Sequence, residues 1–188
     1  MRKVLRVTRK ESHGVNLIPG EPVGRWIRIV WIPTIVGWCL QPWLTSGHYF
    51  RPPPSNPVWT VIAFTGAIVC VGATVATFSC WREMGRSWRI GIDPTEKTQL
   101  IFGGPFRIVR HPIYALSIFL VLGTLATTPT AAMLGIAVIH IACVQFEAHR
   151  EEVYLLKLHG SAYAGYMRRV GRFFPRLSGP GIEKSTSR

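Results

Sequence analysis

Two long stretches of this chain contain no Asp, Glu, Lys or Arg. One covers 24 residues from Val58 to Trp81, the other 35 residues from Pro112 to Phe146. A helix needs about 20 consecutive apolar residues to cross the hydrocarbon core of a bilayer. The first run therefore holds one crossing, and the second holds two short ones. Thr127-Thr128-Pro129-Thr130 divides the second run, with the proline where a tight turn is needed. Nearer the N-terminus, Ile29 to Leu44 is also free of charge, with Pro33 inside it and Trp26 and Pro42-Trp43 at its ends. That pattern predicts a kinked or tilted first span. The expectation is an all-α integral membrane protein of about four transmembrane helices, near 26–44, 58–81, 112–127 and 130–147. The second pair forms a helical hairpin.

The 188 residues carry a net charge of +13, yet only 16% of them are charged, against roughly 25% in an ordinary soluble domain. A basic chain suggests nucleic acid until the charges are located. Seven of the 22 Lys and Arg lie in 1–28, six in 82–111 and eight in 147–188; Arg51 alone lies in the 41–57 connection. Under the positive-inside rule this puts both termini and the 82–111 segment in the cytoplasm. An even number of crossings requires the same sidedness for the termini. The basicity is therefore topological, and no nucleic-acid partner is expected.

The chain divides into a basic segment 1–25, two N-terminal spans within 26–81, a core over 82–177, and a loose tail over 178–188. The N-terminus has no apolar stretch before residue 26 and does not read as a cleaved signal peptide. Cys39, Cys70, Cys80 and Cys143 fall in or at the ends of spans without CxxC spacing, which predicts apolar packing. His13, His48, His140, His149 and His159 are scattered, so no metal site is expected. His140, in mid-span, reads as a hydrogen-bonded packing residue. There is no nucleophile elbow, P-loop, GxGxxG or HExxH.

Two stretches between and after the spans carry chemistry. In the first, alternation over 88–92 and 99–102 suggests a short hairpin or extended loop. Gly103-Gly104-Pro105 follows as a turn where another group can approach the backbone closely. Arg107 and Arg110 stand before Pro112 at the start of the third span, either as an anion site with the helix N-terminus or as interfacial anchors. In the second, Glu147, Glu151 and Glu152 follow the fourth span on a helix that Gly160 is expected to stop. Carboxylates at a membrane edge need partners. A basic aromatic stretch from Tyr163 to Pro175 comes next, compatible with interfacial contact.

Taken together, Gly104-Pro105-Phe106-Arg107-x-x-Arg110-His111-Pro112-x-Tyr114, Glu151-Glu152 eight or nine residues before Gly160, Tyr163-x-x-Tyr166 and Arg172-Phe173-x-Pro175 form a combined pattern. It resembles the isoprenylcysteine carboxyl methyltransferases and their relatives among the phospholipid methyltransferases. The resemblance covers about residues 80–177 and includes the lead-in MGRSWRIGID. One departure is Leu116, where the family usually has glycine. The resemblance implies an all-helical membrane enzyme that uses S-adenosylmethionine in a cytoplasmic C-terminal pocket, on a lipid-like acceptor arriving from the bilayer. It implies that His111, Pro112 and Tyr114 line the cofactor, with Gly104 and Pro105 closing over it. Arg110 and one carboxylate of the pair, Glu152 ahead of Glu151, would stand near the acceptor. Tyr163, Tyr166 and Arg172 would cap the pocket or pair with the glutamates. Carboxyl O-methylation of a lipid acid leads. Phospholipid head-group N-methylation, a non-catalytic scaffold and a nicotinamide-dependent reductase are the alternatives. No obligate protein partner is implied.

Overall fold

The computed structural model describes residues 22–44, 56–84 and 100–176. The proposed N-terminal segment up to residue 21, the extended reading of 88–92 and the tail lie outside the described residues. Among those described, every regular element is helical: α1 Pro22–Leu44, α2 Pro57–Met84, a 3-10 turn Gly104–Arg107, α3 Pro112–Thr127 and α4 Ala131–Arg169. Pro22, Pro57 and Pro112 each open a helix, where a missing N–H costs nothing and the fixed φ is already helical. Residues 100–102 form no strand.

Three helices, α1, α2 and α4, are long and apolar enough to cross a membrane, and α3 is a shorter apolar helix. α1 begins four residues before the expected position, at Pro22, and its helical assignment runs without interruption through Pro33. α3 and α4 form the expected hairpin around Thr128-Pro129-Thr130. α4 spans 39 residues with a break at Gly160; its straight first segment, from Ala131 to the break, is about 44 Å long, longer than the hydrocarbon thickness of about 30 Å. Its uncharged part ends at Phe146, and charged residues recur from Glu147 onward. Gly160 ends the first helical segment, as expected: its backbone takes φ 52°, ψ −124°, a conformation open mainly to glycine. The chain continues in a new helical direction to Arg169.

The helices pack in the order α1 on α4, α4 on α3, and α3 on α2, and the end of α2 also meets the 3-10 turn. Val121, Met133 and Ala137 make one buried cluster with Trp38 and Leu125 around it. Ala115, Val144, Ala148 and Phe173 make a second, flanked by Trp31, Tyr114 and Ile118, directly beneath the charged end of α4. Large apolar side chains such as Trp26, Ile29, Phe64, Val71 and Phe78 face outward, as lipid contact requires. His140 is buried and satisfied on both nitrogens. Trp31 Nε1 donates to its Nδ1 at 3.1 Å, and Ser117 Oγ lies 3.2 Å from its Nε2. This polar triad joins α1, α3 and α4, so His140 packs as expected. Cys80 and Cys143 are buried, Cys70 is partly so, Cys39 faces outward, and all four are free thiols.

Candidate active site

Two distant segments of the chain are brought side by side just beyond the apolar ends of α3 and α4. Arg110 N donates to Gly171 O at 2.8 Å and His111 N to Arg172 O at 3.1 Å. Val109 and Gly171 form an isolated parallel bridge. The residues leading into α3 are thereby clasped to those leaving α4. The redirection at Gly160 makes this possible, because it returns the chain toward the start of α3.

At the clasp sits Glu152, 2% exposed. Its Oε1 accepts from Arg110 Nε at 3.0 Å and Nη2 at 2.7 Å, and from Arg172 Nε at 3.1 Å; its Oε2 accepts from Arg172 Nη2 at 2.5 Å. The Arg172 contact is fork to fork, the geometry that planar guanidinium and carboxylate favour. Arg110 also donates from Nη1 to the carbonyls of Met167 and Val170. These are orphan acceptors at the end of a helix. Each nitrogen of Arg110 is therefore engaged by the protein itself. Burial pushes the Glu152 pKa up, but the close approach of His111 and the bonds from Arg172 and Arg110 outweigh it and hold the carboxyl well below the usual range.

His111 stands between the two glutamates. Its Nδ1 lies 3.5 Å from Glu151 Oε2 and its Nε2 lies 3.4 Å from Glu152 Oε1. Nε2 is buried and lacks an aligned hydrogen bond, so the second contact is a close charge contact. Its ring stacks on Tyr114 with centroids 5.5 Å apart and meets the edge of Phe173 at 6.1 Å. Burial lowers the imidazole pKa, yet the bonds and charges of Glu151 and Glu152 more than reverse this, and it is raised. Glu151 remains 40% exposed.

Over the clasp lies an aromatic wall. Tyr166 OH donates to Phe106 O at 2.5 Å, tying the redirected end of α4 to the 3-10 turn. Phe102 packs edge-on against Tyr166 at 4.9 Å, and Tyr163 lies 5.8 Å from Tyr166. Burial and the Glu152 and Glu151 charges push the Tyr163 phenol up, and burial raises Tyr166 to about 12. Both stay neutral donors. Pro112 is buried as the first residue of α3. Gly104, at φ 49°, and Pro105 form the 3-10 turn.

Arg110, His111, Glu151, Glu152, Tyr163 and Arg172 thus occupy one cluster, and Tyr114 joins it through His111. Glu147 stands apart, buried and paired with Arg150 at 2.9 Å. Arg107, which the sequence grouped with Arg110, makes no contact with the glutamates among the described interactions. Two elements escaped sequence reasoning: the Phe106 carbonyl as the anchor for Tyr166, and Gly171 as the partner of Arg110. The only signal for either lies in a return of the chain some 60 residues later. Among the described residues no group of three or more His, Cys, Asp or Glu is placed to hold a metal ion.

The chain is 29% identical over 121 residues to the nickel-cobalt-cadmium resistance protein NccN of Alcaligenes xylosoxydans xylosoxydans, covering 64% of this chain and 55% of that protein. It is 30% identical over 109 residues to the cobalt-zinc-cadmium resistance protein CzcN of Cupriavidus metallidurans, covering 57% and 48%. The chain thus spans about half the length of these curated relatives. No solved structure matches it. The phospholipid methyltransferase family model matches residues 61–162, from within α2 past the Glu151-Glu152 pair. That stretch is more than half of the chain and contains the Gly104-Pro105, Arg110-His111-Pro112-x-Tyr114 and Glu-Glu elements; the chain belongs to the phospholipid methyltransferase family.

Proposed function

We propose that the chain transfers a methyl group from S-adenosylmethionine to a lipid-like acceptor at the cytoplasmic face of the membrane, with carboxyl O-methylation of an isoprenoid or other lipid acid as the leading reaction. The observation that carries this reading is the buried Arg110–Glu152–Arg172 cluster, with His111 held against both glutamates where the apolar spans end. Family membership supports methyl transfer on a lipid.

The residues fit the cofactor's chemistry. Its ammonium group needs an anion, which Glu151 offers from a partly exposed position. Its sulfonium favours aromatic faces, and Phe102, Tyr163 and Tyr166 supply them. When bound, S-adenosylmethionine supplies an electrophilic methyl on a cationic sulfur, open to in-line displacement.

The protein's own share is alignment and exclusion of water. Glu152, held as an anion, is a poor proton acceptor; it fixes two guanidinium groups in place. Arg110 is committed to Glu152 and the α4 carbonyls, so it positions the cluster. Arg172, with a third of its side chain exposed, presents the charge that orients an acceptor carboxylate. Such an acceptor carries its own nucleophilic oxygen and needs no general base. A second reading, N-methylation of a phospholipid head group, is favoured by the family description and by His111. An amine must lose a proton, and an imidazole flanked by two carboxylates can take it.

The test is incubation of detergent-purified protein with methyl-labelled S-adenosylmethionine and membrane lipids, followed by alkali. A methyl ester releases its label as methanol, which supports O-methylation. Alkali-stable label in a head group transfers the assignment to N-methylation. A folded sample that neither transfers label nor binds S-adenosylhomocysteine overturns both, and the scaffold or reductase reading then leads.

A further inference from the structure

Gly103 is a glycine for which its own backbone gives no reason. Its φ of −83° and ψ of 170° are extended values that any residue adopts. What requires glycine is a neighbour from another helix. A Cβ added at Gly103 would stand 1.9 Å from Oε1 of Glu83, and one at Gly104 would stand 2.9 Å from Oε2. The carboxylate of Glu83, in the last turn of α2, therefore rests on the two Cα atoms that precede Pro105. The same turn carries the Phe106 carbonyl that receives Tyr166 OH, and it leads directly into the Arg110–His111 clasp. α2 packs on α3 and on this turn, so Glu83 is the point at which the second span reaches the candidate site.

We propose that Glu83 is a positioning residue of the methyl-transfer site: its carboxylate, seated on Gly103 and Gly104, sets where the Gly104-Pro105 turn stands over the pocket. The role rests on the methyl-transfer reading, because it matters to cofactor only if that turn covers cofactor. A residue of this kind acts equally on ground and transition states, so its loss raises KM for S-adenosylmethionine and leaves kcat nearly unchanged.

The clash at Gly103 is with the far end of a flexible side chain. Gly103→Ala therefore evicts Glu83 from its seat, and in a Glu83→Ala background it has nothing left to evict. The experiment compares wild type, Glu83→Gln, Gly103→Ala, Glu83→Ala and the Glu83→Ala/Gly103→Ala double variant. It reads S-adenosylhomocysteine affinity by calorimetry, KM and kcat for S-adenosylmethionine, and amide exchange of residues 103–108 in ligand-free protein. Glu83→Ala and Gly103→Ala are each expected to weaken binding and speed local exchange about tenfold, with no additional loss in the double variant. Glu83→Gln, which keeps the shape and can take the same seat, stays near wild type. Full additivity, or wild-type behaviour of Glu83→Ala, overturns the proposal. The exchange cycle does not depend on cofactor. If wild type binds no S-adenosylhomocysteine while the exchange effects remain non-additive, Glu83 still positions the turn, and it is the methyl-transfer reading that falls.

Discussion

The amide of Gln41, at the end of α1, donates to Oγ1 of Thr130 at 2.9 Å, and the same oxygen accepts the Met133 N–H at 3.0 Å. One buried hydroxyl thus caps α4 and anchors α1 at the far end of the bundle from the glutamates. Thr130→Val keeps the shape and removes both bonds. It should lower stability by about 1–2 kcal/mol, and Thr130→Ser should restore most of it, read as thermal unfolding in detergent.

Glu152 holds two guanidinium groups that have no second anion of equal reach among the described residues. Glu152→Gln leaves both uncompensated, and breaking a buried pair costs about 3–5 kcal/mol. Arg110→Ala should approach that loss, since it also uncaps Met167 and Val170. Arg172→Ala should cost less, because a third of its side chain is already in solvent. An Arg172 variant as damaging as an Arg110 variant contradicts this ranking. The acid side follows from the lowered Glu152 pKa. The stabilisation is complete above the ordinary value of 4.5 and is lost as pH falls below it toward the folded value. Glu152→Gln should flatten that acid slope.

His111 has the opposite sign. Its pKa is raised above 6.5 in the folded chain, so its contribution is full below 6.5 and is lost as pH rises through the folded value. Unfolding measured from pH 6 to 9 should show stability falling with pH. His111→Gln should remove that slope and only reduce the acid one, which Arg172 and Arg110 still sustain.

α2 and α3 cross where neither tolerates a side chain. A Cβ at Gly66 would lie 2.7 Å from Gly123 O, and one at Gly123 would lie 2.8 Å from Gly66 O. These are backbone atoms, which cannot swing aside. Gly66→Ala or Gly123→Ala should each cost about 1–3 kcal/mol by forcing the helices apart. Gly72→Ala, with open space around it, is the control and should be neutral to slightly stabilising in the same melt.

Gly171 is under similar constraint at the clasp, where an added Cβ would stand 1.9 Å from Phe174 O. Gly171→Ala should displace the partner of Arg110 and abolish cofactor binding while the helical circular dichroism persists. Retained binding would mean that the bridge at Val109 is not needed.

The spans were legible because the bilayer imposes a requirement on length and charge that local composition answers by itself. The starts read at Val58 and Pro112 are kept to within one residue, whereas α4 runs on through Glu147. The meeting of Arg110, His111 and Glu152 was legible only through a family resemblance, since 42 positions separate Arg110 from Glu152. What the residues could not convey was direction. Gly160 reads as a stop and the first helical segment does end there, but the second segment that starts at once in a new direction shows only in three dimensions. The use of Arg110 on the Met167 and Val170 carbonyls was hidden for the same reason. The Gly103-Gly104 pair did signal a close approach, but the approaching group, Glu83, lies on a helix end whose placement depends on the α2–α3 crossing.

The clasp has a consequence for how the molecule is made. Arg110 and His111 leave the ribosome some 60 residues before Gly171 and Arg172, the backbone partners they bind. Through synthesis and insertion of the α3–α4 hairpin, Arg110 and Glu152 therefore lack the strand that closes around them. Every transmembrane helix can be in place while the glutamate cluster is still open. Closure is then a single late event, and a chain that stops at Arg169 would keep its helices in the bilayer without ever assembling the site.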